Sequence, residues 1–308
     1  MPTGFPWEFT TQYQKNQWED MEYKGRQYTA ALYDKVNDQI ARITFNRPEK
    51  RNALDDKMYN DFLAGLHQAN DDPAVRVVII RANGASYGSG HELSSPKGND
   101  SPPIHPSENP TMVDYYGLER RRCGKYEDIM HYPKITIGQV HGNCLGAHEI
   151  ITRSFDFVIA SDDAQFGMRA FGTRPFGINR WTGFWPAESQ KMFGGQYYQE
   201  TSVGLAENVG LINAVVPRDK LEAEALKWAE MCCSINPDAL TVAKEWLGGM
   251  MDINGLGTSY RSHYIEHNIL QYVRFHSDET NFYKSKSGKG VSGYIKERTS
   301  RATKDDKE

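Results

Sequence analysis

The chain predicts an α/β fold, and three stretches carry that prediction. From Ile40 onward, strand-like runs alternate with patterns of helical period. Val75–Arg81 (VRVVIIR) is a near-continuous apolar run, which suits a strand covered on both faces. Ile135–Ala164 (ITIGQVHGNCLGAHEIITRSFDFVIASDDA) reads as a buried strand, a turn with Gly142 and Gly146, a short helix, and a second strand ending near Ala160.

Taken in order, residues 1–37 are aromatic and polar without clear periodicity and read as an N-terminal extension lying on the core or on a neighbouring subunit. Ile40–Phe45 is strand-like, and Asp56–Gln68 places Met58, Phe62, Leu63 and Leu66 at helical spacing. Ser94–Pro110, rich in Ser, Pro, Asn and Gly, is a loop, and Thr111–His131 reads as a helix carrying Tyr115, Tyr116, Leu118 and Tyr126. Strand–helix order of this kind calls for right-handed crossovers, so residues 38–217 are expected to form one core domain. Beyond Pro217 the pattern turns helical: Leu221–Cys233, a break at Asn236–Pro237, then Ala239–Met251 and Thr258–His276. Residues 218–308 thus form a helical region that ends in a charged tail, and no internal repeat is visible.

Composition narrows the function classes. With 308 residues the chain can bury a large core. A net charge of −4 and a pI near 6.2 give no electrostatic case for a nucleic-acid partner. No apolar run approaches a membrane span and no signal peptide precedes the polar start, so a cytoplasmic location is expected. Cys123, Cys144, Cys232 and Cys233 lack metal-type spacing, and no His/Asp/Glu cluster has it either, so no metal is expected.

The turn before the short helix aims backbone N–H groups at the point where the helix begins, an arrangement suited to an oxygen that becomes negative during a reaction. A second turn, Gly84–Leu93 (GASYGSGHEL), follows another apolar strand and can supply a partner donor. Five ordered blocks carry a resemblance: ARITFNRPEKRNAL (Ala41–Leu54), VRVVIIRANGASYGSGHEL (Val75–Leu93), IGQVHGNCLGA (Ile137–Ala147), SFDFVIASDDAQFG (Ser154–Gly167) and AENVGLINAVVP (Ala206–Pro217). Together they resemble the crotonase (enoyl-CoA hydratase/isomerase) superfamily.

That resemblance implies a crotonase-type spiral of ββα units, with a C-terminal helical region that packs across a trimer interface. A homo-trimer or hexamer follows. It implies an acyl-CoA substrate and no separate cofactor, coenzyme A arriving as part of the substrate. It puts the two donors to the thioester oxygen at the N–H groups of His91 and Ala147, with Gly90, Glu92, Leu93 and Gly146 lining the same turns. Arg51 and the backbone of Ala53 and Leu54 correspond to the CoA contacts. The pattern breaks at the acids. The family's first glutamate falls at Ile150, with Glu149 one residue early, and the second falls at Ala170. A one-residue gap would bring Glu149 into place and make Gly146 the donor.

Other groups can still move protons or hold the acyl group. His148 and Glu149 follow the turn directly and are the candidate proton carriers; the imidazole of His91 can also act. Arg169 and Trp181 lie in an aromatic and basic stretch (Met168–Pro186) suited to a bulky or cyclic acyl group, and Tyr116 lies on the helix that roofs the acyl pocket in the family. The plainer readings are packed aromatics, bridging arginines and a satisfied helical histidine. Function is therefore expected to be that of an acyl-CoA lyase or hydrolase, adding water to an enoyl-CoA or opening a β-oxo acyl-CoA. The alternatives are a CoA-independent β-diketone hydrolase and a non-catalytic subunit.

Overall fold

The computed structural model describes residues 17–92, 126–167, 201–208 and 210–255, together with residue 293. Among the described residues the main elements follow in order: β1 (Ala31–Lys35), β2 (Ile40–Phe45), α1 (Asp56–Asp71), β3 (Val77–Ala82), β4 (Ile135–Val140), β5 (Asn143–Leu145), α2 (Ala147–Thr152), β6 (Phe157–Ser161), β7 (Gln165–Gly167), β8 (Thr201–Ser202), α3 (Val203–Asn208), β9 (Ala214–Val216), α4 (Leu221–Ser234) and α5 (Pro237–Ile253). One sheet has the order β1-β2-β3-β4-β6-β9, and a smaller one the order β5-β7-β8. Only β1 runs antiparallel in the large sheet; β2 to β9 pair parallel.

Alternation along β3 explains the two-faced burial. Val78 and Ile80 enter the main core with Met58, Phe62, Leu63 and Leu66 of α1. Val77 and Ile79 face the other way, onto Leu221, Ala225 and Ala229 of α4. A parallel sheet with helices on both faces buries both sides of such a strand, here all but Arg81, which is why its sequence shows no polar alternation.

Local signals set the helix ends. Asp55 caps α1 by accepting from the Met58 N–H at 2.8 Å, a contact of the kind that stabilises by about 1 kcal/mol. Asn236 caps α5, with Pro237 at its first turn, where the break between helical patterns was expected. Asp61 on α1 is buried and pairs with Arg26, and it also accepts from the N–H groups of Thr29, Ala30 and Ala31. Burial alone would raise its pKa, but those four donors outweigh burial and hold it below the usual carboxylate range.

β1 and β5 are among the strands that the sequence expectation did not include. β1 falls within the stretch read as an extension and pairs with β2 from Ala31↔Phe45 to Lys35↔Ala41. Leu32, Tyr33 and Asp34 are only partly buried and Lys35 is exposed, so no apolar run announces it. β5 is three residues long and exists through pairing with β7, which no local pattern encodes. Among the described residues no helix is long and apolar enough to cross a membrane.

Candidate active site

Three turns are stitched into one ladder of backbone hydrogen bonds. Ser89 N–H donates to Arg51 O at 3.1 Å, Leu54 N–H to Gly90 O at 2.8 Å, and Glu92 N–H to Leu54 O at 2.9 Å. On the opposite edge of the 87–92 segment, Gly88 N–H donates to Asn143 O at 2.8 Å, and Gly88 O accepts from Leu145 N–H at 2.9 Å. The turn at 51–54, the first glycine turn and β5 are therefore consecutive rungs.

Side chains lock the 51–54 turn in place. Asn52 is fully buried with a left-handed backbone (φ 52°); its side chain accepts from Arg47 N–H at 2.8 Å and donates to Asn83 O and Ser86 O. Arg47 donates to Ala53 O at 2.6 Å and pairs with Asp55 at 2.9 Å and with Glu92 at 3.5 Å. Ala53 and Leu54 are buried, and Arg51 is exposed at the tip of the turn. Neither Asn52 nor Arg47 stood out in the sequence; an asparagine next to a PEKR turn is the usual signal of a left-handed position.

The two glycine turns touch. Gly90 (φ +92°) and Gly146 (φ +58°) face each other, and a Cβ on Gly90 would lie 3.2 Å from Leu145 O and 3.6 Å from the Ala147 nitrogen. Both positions need glycine, for backbone conformation and for closeness. Gly90 C=O and His91 N–H belong to one trans peptide; with the C=O held by Leu54, the N–H points away from Leu54. Gly146 N–H is taken by Gly167 O at 2.8 Å, so the gapped reading with Gly146 as donor does not fit. Ala147 opens α2, where a helix leaves its N–H without an intrahelical acceptor, and no described residue accepts from it.

The residues after the turn are sealed in. His148 and Glu149 are both fully buried. His148 Nδ1 accepts from Gly90 N–H at 3.3 Å, and burial, followed by the charge of nearby His91, pushes its pKa down to about 3. Glu149 pairs with Arg153 one turn along α2, an i, i+4 spacing legible in the sequence, while its second oxygen meets no partner among the described residues. Ile150, at the place of the family's first glutamate, is half-buried. His91 is exposed and Glu92 half-buried. Leu93, Tyr116, Arg169 and Trp181 lie outside the described residues, as does Ala170.

Residues 35–300 match the family model described as enoyl-CoA hydratase/isomerase. A Mycobacterium tuberculosis protein carrying the name enoyl-CoA hydratase EchA13 is 27% identical over 268 residues, covering 79% of this chain and 82% of that protein. Human enoyl-CoA delta isomerase 2 is 30% identical over 213 residues, covering 68% of this chain and 52% of the human protein. Among solved structures, an enoyl-CoA hydratase/isomerase from Xanthobacter autotrophicus Py2 superposes with a TM-score of 0.76 at 26% identity, covering 89% of this chain and 99% of that one.

Proposed function

Since the chain belongs to the enoyl-CoA hydratase/isomerase family, we propose that it converts an acyl-CoA through a thioester enolate, by adding water to an enoyl-CoA or by opening a β-oxo, possibly cyclic, acyl-CoA with water. The observation that carries this is the contact between Gly90 and the start of α2, which puts the peptide bearing His91 N–H beside the Ala147 N–H. Two such donors stabilise a thioester oxyanion, each by about 3 kcal/mol in the transition state. The neighbouring turn at 51–54 would hold the coenzyme A moiety, with exposed Arg51 near its phosphates. CoA enters as part of the substrate, and no other cofactor is invoked.

Proton transfer falls to the imidazole of His91. Glu149 shares its carboxylate with Arg153, and His148 is fully buried with a pKa far below neutrality. His91 is the exposed titratable side chain on the same turn, and an imidazole exchanges protons near neutral pH. In the hydration case, water gives a proton to the His91 imidazole as its oxygen bonds to Cβ and the enolate forms, and the enolate then takes that proton back at Cα. In the cleavage case, water gives a proton to the His91 imidazole as its oxygen adds to the β-oxo carbon; the bond between that carbon and Cα then breaks to leave a carboxyl group and the enolate, which takes the proton from His91 at Cα.

The test is mass spectrometry of linear enoyl, cyclic enoyl and cyclic β-oxo CoA esters incubated with the protein in H₂¹⁸O. One labelled oxygen in a CoA product supports the reading, and the product's structure assigns hydration or ring opening. Tight binding without turnover across the panel would favour a non-catalytic subunit; absence of binding would favour a CoA-independent β-diketone hydrolase.

A further inference from the structure

His148 sits where a proton carrier could be expected, but its surroundings suit a different task. Its ring stands edge-on to Phe45 at 5.1 Å and to Tyr87 at 6.0 Å. The backbone of Gly88 lies against the ring so closely that a Cβ there would fall among its atoms. The ring's Nδ1 accepts from Gly90 N–H at 3.3 Å. An imidazole that accepts at Nδ1 is neutral and carries its proton on Nε2. Nε2 is buried and meets no partner among the described residues, so no relay to solvent is visible there.

Gly90 is thereby held at two points: its N–H by His148 and its C=O by Leu54 N–H at 2.8 Å. Between them these contacts fix both peptide planes that flank Gly90, and the second plane carries the N–H of His91. We propose that His148 is a positioning residue, a permanently neutral hydrogen-bond acceptor that aims the His91 N–H by anchoring Gly90, and that it carries no proton in the reaction. This rests on the acyl-CoA reading above. Glycine at 88 and histidine at 148 are complementary in size, and the anchor needs both.

Two variants and one spectroscopic readout test it. H148F keeps the aromatic packing and removes the acceptor; H148N returns an oxygen close to the place of Nδ1. Expected is a fall in kcat of about 100-fold for H148F with KM changed less than about 3-fold, because a misaimed oxyanion donor costs the transition state and not the ground state. H148N should recover at least about tenfold of that loss, with a pH–rate profile of wild-type shape. Wild-type kcat in H148F would overturn the proposal. So would an H148N as slow as H148F with one limb of the pH profile gone, which would make His148 a proton carrier. Ring ¹H–¹⁵N correlation spectra should show Nε2 protonated and Nδ1 bare from about pH 8 to about pH 5, and the Gly90 amide should shift in H148F and return in H148N. A ring protonated on Nδ1 would equally overturn the proposal. If the wild-type protein turns over no acyl-CoA, the functional reading fails, while the ring tautomer and the Gly90 amide still decide the anchor.

Discussion

At residue scale, the working groups proposed here are peptide N–H groups, and substitutions can separate them from the side chains around them. His91→Ala keeps the backbone donor and removes the imidazole. The expected result is a kcat lower by about 10²–10³-fold with KM nearly unchanged. Ala147→Pro does the reverse, deleting the N–H at the first helical position, where proline is compatible with a helix. It should lower kcat by about 10²–10³-fold, with far-UV circular dichroism unchanged. The ungapped correspondence puts the proposed donors at His91 and Ala147. What the sequence hid was direction. Spacing puts His148 one residue past Ala147, yet only packing on Phe45, Tyr87 and Gly88 decides that its ring turns inward. Asn52 was hidden for the same reason, since its partners Arg47, Asn83 and Ser86 come from separate segments.

At the scale of elements, α2 holds an ion pair with both side chains almost wholly buried, Glu149 and Arg153. Removing the carboxylate takes a buried partner from Arg153, so Glu149→Gln should destabilise by about 3–5 kcal/mol in urea or guanidinium titrations. Two carboxyls should make opposite contributions to stability as pH changes. Asp128, in the helical turn at 126–130, accepts from Gln17 N–H at 2.8 Å, and burial pushes its pKa up to about 6. Between about pH 4 and 6 the folded chain therefore binds the extra proton, so this group's contribution to stability falls as pH rises through that window. Asp128→Asn should raise the melting temperature at pH 8 and leave it unchanged near pH 4. Asp61, held below the usual range, works the other way: its stabilisation is present above the ordinary carboxylate pKa and is lost as pH falls through its own. Elements long enough to show a period, such as α1, β3, α4 and α5, were legible from sequence. β1 and β5 were not, because pairing across the sheet makes them strands.

For the whole molecule, α5 shows an apolar face to solvent. Val242, Trp246, Leu247, Met250 and Ile253 are exposed, Trp246 by 69% and Ile253 by 81%. Large apolar groups set in a row favour association, and the expectation of a homo-trimer or hexamer assigns this face to a second copy of the chain. Sedimentation equilibrium should then give a trimer or a multiple of it, and Trp246→Glu should shift the distribution toward monomer; a monomeric wild-type protein would sink the assignment. The ladder joining the 51–54 turn, the first glycine turn and β5 has a bearing on how such a molecule can be altered. Its rungs are main-chain bonds, indifferent to most side chains, so the proposed cradle for the substrate and the acids and bases around it are separable parts. A change of reaction is then best sought by redecorating positions such as 91 and 150 on an unaltered frame, while changes at Gly88, Gly90 or Gly146 would bend the frame itself.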